Sequence, residues 1–282
     1  MELGTNVRNW GQEANPQSLT ACAQQAEAAG LDAIWLNDHV ALTPGLAKNT
    51  EGGDWLESLA TLAFLASATE RIALGVGVLI APYRPDVLLA KGIATVQTLS
   101  QGRLRLGLGV GWVVPAFESL GVDVKQRGRI LERQLAFLNE TFAGDTHNVN
   151  GAQVILKPVP PRPRIYIGGN PGNALPEHTF RRAIEFGAEG WIPSSIPAGD
   201  LVEPIRELAK RYANAGLGAP EVVAMKTLPL DEPNAAIAQA LAFSDAGVTH
   251  LVHTGPYDGP KGFAKRLDGL AGHVLPALRR AS

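Results

Sequence analysis

The sequence contains only one cysteine, Cys22, in a chain of 282 residues. A single cysteine cannot form a disulfide within the chain, which excludes a small secreted fold held together by disulfides. Cys22 lies in a helical stretch rich in alanine and glutamine, where a small packed side chain is its expected role. The sequence therefore predicts a core stabilised by ordinary hydrophobic packing.

Long apolar runs and clusters of one charge are missing as well. No segment reaches the roughly 20 consecutive apolar residues of a membrane span, and the stretch Met1–Asn6 has neither the basic nor the apolar part of a secretory signal. The net charge is -2, and no Lys/Arg-rich run is present. We therefore expect a cytoplasmic protein whose partners are neither nucleic acid nor membrane.

Short apolar segments alternate with longer segments of helical periodicity along the whole chain. The pattern predicts strands over Leu3–Asn6, Leu31–Leu36, Arg71–Ile80, Arg103–Gly109, Arg164–Ile167, Gly190–Pro193, Glu221–Thr227 and Val248–His253. It predicts helices over Pro16–Ala29, Trp55–Ala68, Pro85–Leu99, Ile130–Phe142, Ala174–Phe186, Asp200–Ala215, Asn234–Ala246 and Gly262–Leu278.

This alternation favours a parallel sheet in which the helices form the crossovers. The predicted strands lack a polar alternation, as expected when both faces of a sheet are buried. Eight strand–helix units follow one another without a change of composition or a low-complexity linker. We therefore predict an α/β fold with a single (β/α)8 TIM barrel domain over residues 1–282, rather than two doubly wound domains.

In such a barrel the functional site lies at the carboxyl ends of the strands. The most prominent polar feature there is the pair Asp38 and His39, directly after the second predicted strand. A carboxylate beside an imidazole can fix the tautomer and orientation of a histidine that moves protons. The alternative is a histidine satisfied by local backbone groups, with Asp38 serving a turn.

Glycines follow the fourth and fifth predicted strands. The run Gly107–Gly111 has the spacing GxGxG and continues into Trp112, whereas a dinucleotide-binding loop needs GxGxxG leading straight into a helix. These glycines would instead let a flat ring approach the backbone closely. The turn Gly168–Asn170 could present backbone N–H groups to an anion, or could be a plain strand-to-helix turn.

Two further features leave alternatives open or exclude a site. Trp10, Trp35 and Trp112 follow or end predicted strands, where each could wall a pocket or belong to the core. The histidines show no spacing typical of metal ligands, so no metal site is expected.

Four segments with preserved spacing resemble the luciferase-like monooxygenase superfamily, the bacterial-luciferase-like barrels. They are Gly30–His39, Arg71–Val78, Gly102–Trp112 and Arg164–Asn170. The Asp-His pair after the second strand is similar to the branch that uses the deazaflavin coenzyme F420. The resemblance implies a flavin- or F420-dependent oxidoreductase, often a homodimer.

The resemblance also implies roles for residues at the predicted rim. Asp38 and His39 would face the cofactor, and Gly77 and Val78 would form a strand bulge behind its ring, often with a non-prolyl cis peptide. The ring and side-chain region would be lined by Gly109, Gly111 and Trp112. The cofactor phosphate would be held by Gly168, Gly169 and Asn170.

The chain departs from the branch at three places. Trp112 replaces the glutamate acid of the sugar-phosphate dehydrogenases of the branch, and an indole cannot donate a proton in that role. Pro115 and Ala116 stand where many relatives carry an acidic pair. The stretch 171–174, Pro-Gly-Asn-Ala, differs from the common Gly-Pro-Arg-Ala.

We therefore expect an oxidoreductase that transfers a hydride between F420 and a small organic substrate, with His39 managing a proton and Asp38 orienting it. One alternative is an FMN-dependent monooxygenase that works with a separate flavin reductase. The other is a non-catalytic flavin-binding protein on the same barrel.

Overall fold

The computed structural model describes residues 1–50, 54–170, 175–193 and 195–281. The strands are β1 Glu2–Asn6, β2 Ala33–Leu36, β3 Ala73–Ile80, β4 Leu104–Gly109, β5 Thr146–Val149, β6 Ala152–Ile155, β7 Arg164–Gly168, β8 Gly190–Ile192, β9 Glu221–Lys226 and β10 His250–His253. Eight of them are parallel and close into a barrel, in which each strand pairs with its neighbours in the order β1-β2-β3-β4-β7-β8-β9-β10 and β10 returns to β1. The predicted (β/α)8 barrel is confirmed.

Helices connect the barrel strands on the outside. They are α1 Pro16–Ala28, α2 Pro44–Asn49, α3 Ser58–Ala68, α4 Asp86–Leu99, α5 Val114–Ser119, α6 Arg127–Ala143, α7 Glu177–Glu185, α8 Ala198–Asn214, α9 Pro233–Asp245, α10 Gly259–Gly269 and α11 Leu275–Ala281. Within the described ranges, no helix combines the length and the apolar character needed to cross a bilayer.

Local chemistry explains where several helices begin. Asn15 caps α1 because its side chain accepts a hydrogen bond from the Ser18 amide, and Pro16 occupies the first helical position. The predicted start at Trp55 of the second helix, which follows the second strand, is wrong. Trp55 instead forms an isolated β-bridge with Trp10. Helix α3 begins at Ser58, and the preceding residue Glu57 caps it because its side chain accepts a hydrogen bond from the Ala60 amide.

Some elements were not expected from the sequence. The short helices α2 and α5 and the antiparallel hairpin β5–β6 interrupt the simple alternation. The predicted closing helix is divided by a π-helical turn, Leu270–Val274, between α10 and α11. The predicted start of the fifth helix, Ala174, lies outside the described residues.

Trp35 fills much of the barrel interior, with 1% of its surface exposed. Its ring explains the glycine at position 75, where a Cβ atom would lie 2.4 Å from the ring. At Gly4 a Cβ atom would lie 2.7 Å from the Ala33 carbonyl oxygen and 3.3 Å from the ring. The ring meets the buried Tyr166 edge-to-face, with 6.2 Å between centroids. Trp35 is therefore a core residue rather than a wall of the site.

Charged side chains close the amino-terminal end of the barrel. Arg105 pairs with Glu2, Arg164 pairs with Glu221, and the Tyr166 hydroxyl donates to the Glu221 carboxylate at 2.6 Å. The buried ring of His250 lies among them, with its Nε2 atom 3.4 Å from a Glu2 oxygen. Arg105 and Arg164 therefore each have a carboxylate partner.

Candidate active site

A cavity of about 530 Å³ lies at the carboxyl ends of the barrel strands, within the size range typical of cofactor and substrate sites. All ten residues predicted from the sequence to form the site line this one cavity. They are Asp38, His39, Gly77, Val78, Gly109, Gly111, Trp112, Gly168, Gly169 and Asn170. They come from loops or strand ends after β2, β3, β4 and β7, so the barrel brings together residues that are distant in sequence.

The floor of the cavity is formed by Val78 and the glycines around it. The peptide bond between Gly77 and Val78 is cis, as expected, and the pairing of β3 with β4 shifts register between Val76 and Leu79. The Val78 side chain occupies the space that neighbouring strands leave free: a Cβ atom at Gly109 or Gly168 would lie 2.5 or 2.6 Å from its methyl carbons. The result is a floor of backbone and methyl groups without a protruding polar side chain.

Asp38 is buried at the edge of this cavity and is fully engaged by other groups. Its Oδ2 atom accepts hydrogen bonds at 2.8 Å from both the Ile80 amide and Arg84, and its Oδ1 atom accepts from Ser58 at 2.7 Å and from Arg84 at 2.9 Å. No hydrogen bond joins Asp38 to His39 in the described part of the chain. Asp38 therefore fixes the loop after β2 against β3, and it does not orient the His39 ring through a hydrogen bond.

His39 is held by aromatic rings instead. Its ring meets Trp55 edge-to-face with 4.7 Å between centroids, and Trp112 lies 6.4 Å away on a perpendicular plane. Nδ1 of His39 is buried and has no hydrogen-bond partner among the described residues. Burial lowers the pKa of His39 below its usual value, while the nearby negative charge of Asp38 opposes that shift. The ring is therefore neutral at pH 7 and able to accept a proton.

Sequence reasoning missed the residues that support His39. Trp55 was assigned to a helix, but it lines the cavity and stacks on Trp10, with 5.6 Å between ring centroids and 17° between planes. The Arg8 guanidinium lies over the Trp10 ring, 4.3 Å from the ring centroid. The contact between Trp10 and Trp55 depends on how their loops close, and no periodicity in the sequence predicts that closure.

The predicted phosphate role of the turn after β7 needs a correction at Gly169. Its amide donates to the Ile192 carbonyl at 3.1 Å, so this N–H is not available to an anion. Gly169 is instead required by close packing, because a Cβ atom there would lie 2.0 Å from the Thr179 hydroxyl oxygen. The departure noted at positions 171–174 lies outside the described residues.

The remaining lining residues were not singled out by sequence. Met225 fills the space beside Gly77, where a Cβ atom would lie 1.9 Å from its terminal methyl carbon, and Asn37 precedes Asp38 on the same loop. Among the described histidine, cysteine and acidic residues, no group of three or more could hold a metal ion. The site therefore has a floor of backbone and methyl groups with one neutral histidine at its edge, and its lining also includes Asn37, Asn170 and Ser195.

Two F420-dependent enzymes are similar to this chain. The F420-dependent glucose-6-phosphate dehydrogenase of Amycolatopsis mediterranei is 24% identical, in an alignment that covers 94% of this chain and 95% of that protein. An F420-dependent secondary alcohol dehydrogenase in complex with an F420–acetone adduct superposes with a TM-score of 0.76 at 14% identity, covering 99% of both chains.

A flavin protein has a similar fold. The oxygenating constituent of 3,6-diketocamphane monooxygenase of Pseudomonas putida, in complex with FMN, superposes with a TM-score of 0.78 at 15% identity, covering 98% of both chains. The model of the luciferase-like monooxygenase family matches residues 2–278. Because that match spans nearly the whole chain, this protein belongs to the luciferase-like monooxygenase family.

Proposed function

We propose that this protein is an oxidoreductase that transfers a hydride between the deazaflavin F420 and a small organic substrate. The observation that carries the proposal is the neutral His39 ring, with an unpartnered Nδ1, at the edge of a flat apolar floor. The choice of F420 is supported by the dehydrogenase of Amycolatopsis mediterranei, whose similarity extends over 94% of this chain.

The residues present fit a planar ring. Added Cβ atoms at Gly109 and Gly168 would collide with Val78, so these positions keep the floor free of side chains that could tilt a ring. Val78 and the cis peptide before it would support one face of the ring, and Trp112 would stand beside it. A bound deazaflavin supplies the hydride chemistry, whereas the protein supplies position, water exclusion and proton transfer.

His39 would manage the proton of the substrate. Nδ1 is shielded from solvent, so we assign proton exchange to Nε2, the other ring nitrogen. As an alcohol is oxidised, Nε2 would accept the hydroxyl proton, and as a carbonyl is reduced, it would return that proton to the oxygen. The lowered pKa suits this base, because the neutral form predominates at pH 7.

The proposal is tested by titrating the purified protein separately with F420 and with FMN, and measuring each affinity by fluorescence. We expect F420 to bind at least tenfold more tightly than FMN, a difference of about 1.4 kcal/mol. Comparable or tighter binding of FMN, together with oxygen consumption once the flavin is reduced, would contradict the proposal.

That outcome would favour a second candidate, an FMN-dependent monooxygenase supplied by a separate flavin reductase. The supporting observation is the similarity of fold to the FMN-bound monooxygenase component, with a TM-score of 0.78. The floor of backbone and methyl groups suits either tricyclic ring, so it does not separate the two cofactors.

A further inference from the structure

We propose that the substrate served by His39 is an uncharged, mainly apolar alcohol or carbonyl compound, and not a phosphorylated sugar or a carboxylate. This inference rests on the proposed function, because it concerns the substrate of the same cavity. It follows from two properties of the described lining residues: the absence of a free cation and the presence of an exposed aromatic wall.

The cavity offers no side chain that could neutralise an anion. None of its described lining residues is Lys or Arg, and its ionisable members are Asp38 and His39. Asp38 is already paired with Arg84 through two hydrogen bonds, at 2.8 and 2.9 Å, and burial keeps His39 neutral. Positions 51–53, 171–174 and 194, which lie outside the described residues, contain no Lys or Arg in the sequence.

Burial of an anion beside His39 is unfavourable, whereas the family resemblance assigns the cofactor phosphate to the turn after β7, at another part of the cavity lining. A phosphate or carboxylate loses its hydration on entry, and a charge-assisted hydrogen bond from Arg or Lys is the usual compensation. Asp38 would add repulsion, although its pairing with Arg84 reduces that effect. A neutral hydroxyl or carbonyl group avoids this cost, because one hydrogen bond to the His39 ring satisfies it.

The wall above His39 is apolar and accessible. Trp112 lines the cavity and is 70% exposed, although it is one of the largest apolar side chains of the protein. An exposed aromatic side chain that lines a cavity is typical of a surface that a ligand covers. The hydrocarbon part of the substrate would therefore pack against Trp112 while its oxygen faces His39.

The reaction balances for such a substrate. A secondary alcohol loses the hydride of its carbinol carbon to oxidised F420 and its hydroxyl proton to Nε2 of His39, which leaves a ketone and reduced F420. In the reverse direction the ketone carbon receives the hydride and the ketone oxygen receives the proton. No other oxidant, reductant or cation is needed.

Three probes that share a six-membered ring but differ in charge test this inference. Binding of cyclohexanone, cyclohexanecarboxylate and glucose 6-phosphate is measured by ligand-observed NMR on the protein, with and without F420. We expect cyclohexanone to bind at least tenfold more tightly than either anion. Tighter binding of cyclohexanecarboxylate or glucose 6-phosphate would overturn the inference.

Substitutions at Trp112 test whether this side chain contacts the bound cyclohexanone. Trp112→Ala should weaken cyclohexanone binding about tenfold, the scale expected for loss of one aromatic contact surface. Ile155→Ala is the matched control, since Ile155 is 68% exposed on the β5–β6 hairpin and does not line the cavity. Equal effects of the two substitutions would overturn the role of Trp112, and Trp112→Phe should retain most of the affinity.

The experiment separates this inference from the proposed function. If F420 does not bind and FMN does, the proposed cofactor is wrong. The ranking of neutral against anionic probes can then be measured on the FMN-loaded protein. If F420 binds tightly but the anionic probes bind best, only the substrate class is wrong.

Discussion

The two ends of the barrel differ in whether their polar side chains are paired with opposite charges. At the amino-terminal end, Glu2, Arg105, Arg164 and Glu221 form two ion pairs, and His250 lies within 3.7 Å of both carboxylates. Nε2 of His250 makes no hydrogen bond to a described residue, but it faces these two carboxylates. At the carboxyl end, Nδ1 of His39 also lacks a hydrogen-bond partner in the described structure, and its ring is flanked by tryptophans rather than by paired charges. The same strands thus lead from a cluster of paired charges to an open site.

The difference shows what distinguishes a structural polar cluster from a candidate active site in this barrel. Ion pairs that are partly exposed add little stability, so the pairs at the amino-terminal end chiefly avoid the cost of unpaired charges. At the carboxyl end Asp38 is paired with Arg84, which also pairs with Glu57. Polar groups at that end are therefore divided between one residue that supports the loop and one that remains available for chemistry.

The largest effect is expected from Asp38→Asn. This substitution removes the buried charge partner of Arg84, whose side chain is only 12% exposed, and should lower the free energy of unfolding by about 3 kcal/mol. The remaining partner, Glu57, limits the loss. Denaturation with urea measures the change.

Asp86→Asn is the matched control for that substitution. It removes a two-hydrogen-bond pair with Arg133, whose side chain is 61% exposed, so its expected cost is at most about 1 kcal/mol. Equal losses for the two variants would show that burial of the Asp38–Arg84 pair does not matter. Asp38→Asn should also lower the pKa of His39 further, because the charge of Asp38 raises it.

Acid should destabilise the amino-terminal end through His250. Burial lowers the pKa of His250 to about 4, with Arg105 and Arg164 adding to the effect and Glu2 and Glu221 opposing it. Because the folded protein favours the neutral ring, this contribution is complete above pH about 6.5 and is lost as the pH falls toward 4. The loss at the acid end is on the order of 3 kcal/mol.

Urea denaturation between pH 7 and pH 4.5 measures this dependence, and His250→Gln should make it shallower. Some acid sensitivity will remain in that variant, because burial also lowers the pKa of His253 to about 3. An unchanged slope in His250→Gln would assign the acid sensitivity to other groups.

At the carboxyl end, His39→Ala should lower the rate of hydride transfer about 10²-fold, the usual scale for a general acid–base group. Single-turnover measurements on the F420-loaded protein test this, with the melting temperature recorded in parallel. His250→Gln is the control at the other end, and it should retain normal turnover per folded molecule. A folded, loaded His39→Ala variant with an unchanged rate would remove His39 from the mechanism.

Much of the barrel could be predicted because its signals are local. Apolar, β-branched strands such as Ala73–Ile80 alternate with amphipathic helices, and this alternation leads to only a few topologies. The β5–β6 hairpin was missed because its strands are short and mostly exposed, so they carry little apolar periodicity. The π-helical turn after α10 was missed because helical periodicity continues through it.

The composition of the site could be predicted, but the support of its histidine could not. Strand ends identify Asp38, His39 and the glycines, because a barrel places all of them on one rim. The partner of Asp38 is Arg84, 46 residues further along the chain, and the ring beside His39 belongs to a loop residue, Trp55. Such contacts depend on how loops close over the rim, and one sequence contains no periodic signal for them.

The smallest effect concerns the aromatic support of His39. Trp55 covers the His39 ring, and its own position is fixed by the stack with Trp10. Trp55→Leu should expose the ring to water and raise the pKa of His39, because burial is the main cause of its lowered value. Trp55→Phe should retain most of the burial of His39 and thus its pKa.

Trp112→Leu is the control, since Trp112 lies further from the His39 ring, at 6.4 Å, and is 70% exposed. NMR titration of the His39 ring protons measures all three variants without cofactor or turnover. If Trp55→Leu and Trp112→Leu shift the pKa equally, or if Trp55→Leu leaves it unchanged, Trp55 does not control the protonation of His39.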